Sequence, residues 1–408
     1  MTAMHATACA KTLPTTAEVV VVGGGLAGAG AACVLAKAGR EVLILEREAS
    51  ATHKICGEFL STETQGYLRR LGLDLDALGG HITSHLRLVC GKTIVETPLP
   101  FNGLGLSRYC LDEALLNHAS NCGAQLWRGQ RASVSSIGSS TASSATSDTK
   151  GSISLDVQSA GTVRTNSLFL ATGKHDLREL RRNPHTPPED LVGFKMYFDV
   201  DRAQHNALAN HVELVLFAHG YAGLQRVEDG RVNLCLLAKS SWLKACGGTW
   251  EGLLGELLRT CPHLHRRLSN ATPLLSQPLS IYRVPYGFVY DPPRDNTGNT
   301  DNIYRLGDQV GVISSFSGDG MGIALHSGVL AASHYLAGLG AGSYHSQIRQ
   351  DIASQIWRAG LLYRASRWMP SRHLLMGLAG LLPRSLSLAA SLTRIPPSAV
   401  TQASRLMS

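Results

Sequence analysis

Several things are missing from this 408-residue chain, and each absence removes a class of function. No window supplies the roughly 18 uninterrupted apolar residues of a spanning helix. The opening stretch MTAMHATACAKTLPTTAE has no apolar core of the kind that marks a signal peptide, so residues 1–16 read as a mobile lead-in. The nine cysteines are odd in number and scattered, and no C-x-x-C pair occurs. Neither a disulfide framework nor a zinc site is supported, and a reduced, cytoplasmic setting is the simplest reading. The sixteen histidines show no ligand spacing either, so no metal is assigned. The formal charge of +8 invites a nucleic-acid partner until it is located. From Gly340 to Ser408 there are eight arginines, no lysine and one acid, Asp351, a net +7 in one terminal segment. No nucleic-acid-binding motif accompanies it, so no such partner is assigned.

What is present begins with EVVVVGGGLAGAGAACVLAKAGREVLILERE, Glu18 to Glu48. It reads as strand, glycine turn, helix and second strand. Gly23, Gly25 and Gly28 fit G-x-G-x-x-G: a tight turn, a close backbone approach to a pyrophosphate, and close helix–sheet packing. The helix from about Leu26, with Ala27 in its first turn, offers unpaired N–H groups and a positive dipole end. Glu46 ends the second strand about 20 residues on, where an acid can bind a ribose hydroxyl. A dinucleotide site follows.

Downstream, the predicted elements change in kind. HLRLVCGKTIVETPLP reads as two strands about a Gly-Lys turn, and LSRYCLDEALLNHASNCG as a helix closed by Gly123. Gln125–Trp127 is a strand, Ser133 to Thr165 a hairpin with a mobile tip at about 138–151, and Leu168–Leu170 a short buried strand. Val192 to Ala238 holds four strand-like runs, the last two joined by Asp229-Gly230, which is antiparallel character. Phe194, Tyr197, Phe217, Tyr221 and Tyr282 alternate so that one face could roof an apolar cavity. Trp250 to Arg259 is helical, and a parallel α/β pattern resumes at Asn302.

A second glycine constellation decides the cofactor. Gly307-Asp308 follows a strand, and SGDGMG (Ser317–Gly322) opens another helix. An ordinary NAD enzyme does not need this second helix end, whereas FAD does. Gly320, Met321 and Gly322 would offer N–H donors to the flavin edge that gains negative charge on reduction. Asp308 would accept a ribityl hydroxyl.

Taken together, GGGLAG, LER (Leu45–Arg47), LSR (Leu106–Arg108), ATG (Ala171–Gly173) and GDQVG…GDGMG resemble the flavoprotein superfamily with the p-hydroxybenzoate hydroxylase fold. KICGEFLS (Lys54–Ser61) and the glycine-rich flavin helix are most similar to its geranylgeranyl-reductase-like branch. The resemblance implies that Arg47 lies on the adenine side, that Arg108 reaches FAD, and that Ala132 meets adenine through its backbone. It also implies an α/β fold: an FAD-binding Rossmann-type domain from residues 17–80, 101–180 and 300–340, with an inserted antiparallel substrate sheet (81–100 and 181–299) and a helical segment at 341–408.

Two departures narrow the chemistry. Hydroxylases of this fold carry an Asp-Gly pair after the strand ending near Gly173, and here the segment is ATGKHDLRELRR. The tryptophan-rich halogenase signature is replaced by SIYRVPYGF. The expectation is an FAD-dependent oxidoreductase acting on a hydrophobic polyketide-, isoprenoid- or aromatic-derived molecule. The fold's common occupation leans it to monooxygenation; a reductase or dehydrogenase and a non-catalytic electron carrier are the alternatives. NADPH or NADH is a candidate external reductant, and an electron-transfer protein a candidate partner.

Four residues stand out as catalytic candidates, each with an ordinary counterpart. Cys56 is either a thiol near the flavin or loop filling. Glu58 is a proton relay or loop anchor, or else an exposed loop acid. Lys195 faces either the cavity or solvent, and solvent is the expectation. His175 sits in the altered motif. Finally, Trp357, Tyr363, Trp368 and leucines among the arginines give the tail the composition of a helix lying on a membrane surface, though Pro370 and Pro383 interrupt it.

Overall fold

The computed structural model describes residues 12–138, 153–182, 189–292, 302–367, 369–382 and 384–405. Most of the lead-in, the hairpin tip, Trp368 and Pro383 lie outside them.

Along the chain, β1 (Thr16–Val22), α1 (Leu26–Lys37) and β2 (Val42–Glu46) form the opening βαβ unit. β3 (Phe59–Leu60) and α2 (Thr62–Leu71) follow, then the hairpin β4 (His81–Cys90) and β5 (Thr93–Gly105). Helix α3 (Arg108–Asn121) starts at an N-cap, Ser107, whose side chain accepts from Cys110 N, and Gly123 at φ 110° ends it. Next come β6 (Gln125–Arg128), β7 (Ala132–Ile137), β8 (Ile153–Val157) and β9 (Gly161–Leu170). The segment expected as one hairpin is thus a three-stranded meander, and Leu168–Leu170 are the end of a ten-residue strand.

The antiparallel region comprises β10 (Leu191–Asp199), α4 (Arg202–Ala207), β11 (Asn210–Phe217), β12 (Gly220–Arg226) and β13 (Val232–Lys239). Asp229 and Gly230 both take positive φ in the turn between β12 and β13, as the Asp-Gly pair implies. Helices α5 (Ser240–Ala245), α6 (Trp250–Thr260) and α7 (Pro262–Leu268) precede β14 (Thr272–Pro273) and β15 (Leu279–Tyr282). The chain then returns through β16 (Ile303–Arg305) to α8 (Gly320–Leu336). It closes with α9 (Gly340–Arg367), α10 (Met369–Leu381), α11 (Arg384–Leu392) and α12 (Pro397–Arg405).

Two sheets result. The first has the order β6-β2-β1-β9-β8-β7, with β16 also on β9; β6, β2, β1, β9 and β16 run parallel. Both faces of β1 are covered, which is why its valines form an unbroken run. Val19 and Val21 join the core against α1, α3 and α8, while Val20 and Val22 join the core against the meander. The second sheet runs β14-β10-β13-β12-β11-β4-β5-β3, with β15 also on β10.

Alternation sorts the second sheet's side chains. Phe194, Met196, Phe217, Leu224 and Leu234 pack outward with Leu253 and Leu257 of α6. The opposite, inner face carries Lys195, Tyr197, Tyr221, Gln225, Asn233 and Cys235. Of the aromatics expected on a cavity roof, Phe194 and Phe217 therefore belong to the outer core, and Tyr282 is exposed.

Candidate functional site

The glycines after β1 test whether a dinucleotide fits. Gly23 takes φ 107°, and a Cβ there would lie 2.3 Å from the Ala171 carbonyl oxygen. A Cβ on Gly28 would fall 2.0 Å from the Gly23 oxygen. Both are glycines for the fold itself. Gly25 differs: its φ is −72°, and a Cβ would meet only Arg108 Nη2 at 3.6 Å. The protein leaves room for a side chain there, so packing does not require this glycine, and the bare backbone at the N-terminus of α1 is open to an anionic ligand.

That position opens on a cavity of about 740 Å³ lined by Gly23, Gly25, Glu46, Arg47, Arg108, Ala132, His175 and Asp308. Glu46 accepts from Gly24 N (2.6 Å) and Glu48 N (2.8 Å), which fixes its carboxylate at the rim. Arg108 is held by Asp112 through two bonds of 2.5 and 2.8 Å. Burial alone would lower its pKa, but Asp112 more than offsets this and keeps the guanidinium charged. Arg47 pairs with Glu48 at the exposed edge. This wall, built from segments far apart in sequence, thus has the charges and the bare helix end that FAD's AMP and pyrophosphate require.

Other predicted residues lie elsewhere. The side chains of Leu26, Ala27 and Met321 are buried in the core, so only their backbones could serve a ligand. Gly320 and Gly322 open α8 beyond the cavity lining, joined to it through Gly307, whose N–H donates to Ser327 Oγ of α8 (2.8 Å). Gly320, like Gly25, has space: a Cβ would touch only Ile313 Cγ2 at 4.0 Å.

The segment that replaces the hydroxylases' Asp-Gly motif is tied down. Gln309 Nε2 donates to the Gly173 and His175 carbonyls and to Asp176 Oδ1. Arg182 donates to Asp176 and to the carbonyls of Lys174 and Asp308. His175 therefore lines the nucleotide cavity, and burial, with Arg47, Lys54 and Arg182 nearby, lowers its pKa and keeps it neutral.

The expectation of a solvent-facing Lys195 is overturned. Its side chain is 0% exposed, as is that of Glu58, with which it forms an ion pair. The reason is tertiary: alternation put Lys195 opposite Phe194 and Met196, and that side of β10 is covered by the loop 54–58. Lys195 Nζ also donates to the Lys54 carbonyl (2.9 Å) and lies over the Tyr197 ring. Glu58 is likewise no exposed loop acid. It sits at φ 62°, accepts from Tyr197 OH (2.7 Å) and Arg108 N (2.7 Å), and so links the sheet to the start of α3. Burial raises its pKa, against the pull of Lys195, Arg108 N and Tyr197.

Two further residues complete this clamp and were not singled out from sequence. Gln225 donates to the Gly57 carbonyl (2.6 Å), and Asn233 to those of Cys56 (3.1 Å) and Gly57 (3.0 Å). The available signal was a polar residue on the inner register of an otherwise apolar strand. Cys56 is thus held by its backbone, with its sulfur accepting from Glu58 N (3.3 Å). It lies near Cys235, whose thiol burial pushes up to about 12, with Cys56 adding to the rise.

Beyond Cys235 the inner face turns apolar. Tyr221, Leu216 and Leu237 pack with Phe316, Tyr286 and Tyr363, and Met376 and Ala379 of α10 close the cluster. Tyr221 and Tyr286 share the Ser315 hydroxyl at 2.5 and 3.1 Å. The polar half of the inner face fixes a loop; the apolar half borders the C-terminal helices.

Comparison with known proteins agrees with this geometry. Residues 16–150 match the family described as the FAD binding domain. A menaquinone reductase of Mycolicibacterium smegmatis is 26% identical over 346 residues, covering 79% of this chain and 77% of the relative. Among solved structures, a flavin-dependent brominase superposes with a TM-score of 0.74 at 17% identity, covering 96% of this chain and 98% of that one. A geranylgeranyl bacteriochlorophyll reductase-like protein from Thermoplasma acidophilum gives 0.66 at 16% identity, with 95% of each chain covered. At such identities the structures share the fold alone. The chain carries an FAD-binding domain, its cofactor is FAD, and it is an FAD-dependent oxidoreductase whose fold is shared with these flavoproteins.

Proposed function

We propose that this FAD-dependent oxidoreductase is a reductase whose substrate is an isoprenoid-type lipid. The observation that carries the reading is the division of the inner sheet face. One half is a clamped polar loop next to the nucleotide cavity. The other is a tyrosine-rimmed apolar wall that continues into α10. The reductase relative, matched over most of both chains, supports the same reading.

When bound, FAD supplies two-electron transfer, with NADPH, NADH or an electron-transfer protein as the source. Gly25 and the start of α1 would hold the pyrophosphate, Glu46 the ribose, and Asp308 the ribityl chain. The apolar wall would orient the substrate and exclude water. Saturating a double bond also needs a proton at carbon, and Glu58 can hold one, because burial favours its neutral form. Tyr197 and Lys195, both bonded to it, are its route of exchange.

The same helices give the substrate an approach. On α10 and α11, Leu374, Leu381 and Leu388 are 73%, 82% and 60% exposed, while Met376 and Ala379 of α10 are buried in the apolar cluster on the inner sheet face. Arg364 of α9 and Arg384 of α11 are exposed as well. Among the described residues no single helix is long and apolar enough to cross a membrane, although Leu374–Leu381 and Arg384–Ala403 pass together with a 114° bend. This face would rest on an anionic lipid surface and receive the substrate from it.

Anaerobic turnover with chemically reduced FAD and a polyprenyl lipid extract tests the reading. A product heavier by two hydrogens is expected. Product formed only in air, carrying an oxygen atom from it, would replace the reductase with a monooxygenase.

A further inference from the structure

Arg394, between α11 and α12, was read from sequence only as one charge of an arginine-rich tail. It is 7% exposed and reaches Asp319, which is completely buried at the start of α8. Arg394 Nη1 donates to Asp319 Oδ1 (3.2 Å) and to the Gly318 carbonyl (3.3 Å). Its guanidinium lies 5.5 Å from the Phe59 ring centre and 5.2 Å from that of Phe101, so two aromatic faces fix it from the side. The carboxylate's other bonds are to neutral donors: Ser61 Oγ at 3.2 Å and Gln355 Nε2 at 3.4 Å. The carboxylate also folds over the first turn of its own helix. A Cβ on Gly322 would lie 2.6 Å from Asp319 Oδ1.

We propose that Arg394 is a positioning residue of the flavin site: the counter-ion that holds ionised Asp319, and with it the Gly318–Gly322 turn, in the conformation that receives the flavin edge. The proposal rests on FAD reaching the N-terminus of α8, and it is independent of which substrate is reduced. Its physical basis is the cost of a buried carboxylate with no cation. Such a charge, placed at the helix end meant to stabilise negative charge, would work against that end. The tail, although last in sequence, becomes part of the cofactor site.

The pH dependence gives the proposal a signature. Burial pushes the Asp319 carboxyl up to about 6; Arg394 opposes this, and Glu63 adds to it. The other titratable groups around it are Tyr67 of α2, His326 of α8 and Asp351 of α9, which are bonded to one another. None of them touches Arg394. Below about pH 6 Asp319 is mostly neutral and needs no counter-ion, so losing Arg394 should matter less there.

FAD binding to the apo-protein, followed by quenching of flavin fluorescence, is the measurement. Arg394→Met should raise Kd about tenfold or more at pH 8, and by less than about threefold at pH 5. Asp319→Asn combined with Arg394→Met leaves no buried charge and should recover most of the affinity. That double variant carries the test if the single one does not fold. An equal loss at both pH values, or a double variant as weak as the single, overturns the proposal. Gly320→Ala separates the two levels of inference. Its methyl has room in the protein, so it should weaken binding only if FAD lies against it. If it has no effect, the flavin placement itself has failed.

Discussion

The second sheet buries a fully enclosed glutamate on each of its two faces, and the two behave oppositely. Glu213 of β11 points outward, where Arg267 Nη2 (2.8 Å), His263 (2.7 Å) and Arg87 converge on it. Burial would raise its pKa, but His263, Arg267 and their neighbours carry it down to about 2. Glu58 meets the inner face with one lysine, one tyrosine and one backbone N–H, and there burial wins. The same residue type, equally buried, is locked as a charge on one side and kept able to take up a proton on the other. The number of guanidinium forks decides it. Arginines surround the carboxylate that fastens α7 to the sheet; a lysine and a phenol surround the one in the loop 54–58.

The largest break in this comparison should come from Glu213→Ala. It leaves Arg267 in a nearly dry site with no anion, beside His263, while Arg87 keeps Glu96, a cost of about 3–5 kcal/mol. Urea denaturation should show that loss, whereas FAD affinity of the folded fraction should hold. Lys195→Met should cost less, roughly 1–3 kcal/mol, because Glu58 can then be protonated instead of staying a buried orphan charge. The greater harm of Lys195→Met should appear in turnover, since the loop 54–58 loses one of its ties. A stability loss matching that of Glu213→Ala would mean that the inner pair is a structural lock as well.

Acid should separate the two glutamates by sign. Glu213, depressed when folded, contributes stability that is complete above the usual carboxylate pKa. That contribution is lost as pH falls toward about 2 and is on the order of 3 kcal/mol. Glu58, raised when folded, binds its proton more tightly in the native state, so its contribution is largest in acid and declines as pH rises through its folded pKa. Denaturation of wild type and Glu213→Gln from pH 7 to 3 should therefore converge in acid. Wild type and Glu58→Gln should instead differ in slope above pH 5.

How legible this was in sequence differs by layer. The βαβ unit was plain, because its glycines obey local rules: Gly23 for its turn and Gly28 for its packing, with Gly25 at the bare end of α1. The strand register around Lys195 was also correct, yet alternation names two faces without saying what covers either. The lysine's fate depended on a loop about 140 residues away in sequence, as the Lys54 carbonyl shows. Arg394 was hidden for a similar reason. Net charge locates a segment, but one buried arginine among exposed ones is decided by Phe59, Phe101 and Asp319, all far upstream. Asp319 lies inside a glycine-rich motif whose local pattern carries no sign of its burial. Buried polar partners spread across distant elements leave only faint marks, such as Asn233 on the inner register of an apolar strand.

The smallest and sharpest probe of the comparison is Tyr197→Phe. The ring stays in place over Lys195, so packing is preserved and only the hydroxyl bonded to both Glu58 oxygens is lost. A net cost of about 1 kcal/mol is expected for one such bond. Its diagnostic effect is on the proton: with a donor to the carboxylate removed, the charged form of Glu58 is less favoured, and its pKa should rise further. The pH at which turnover falls away should move upward with it. An unchanged profile, alongside the expected small stability loss, would make Glu58 a loop anchor alone and assign the proton to another group.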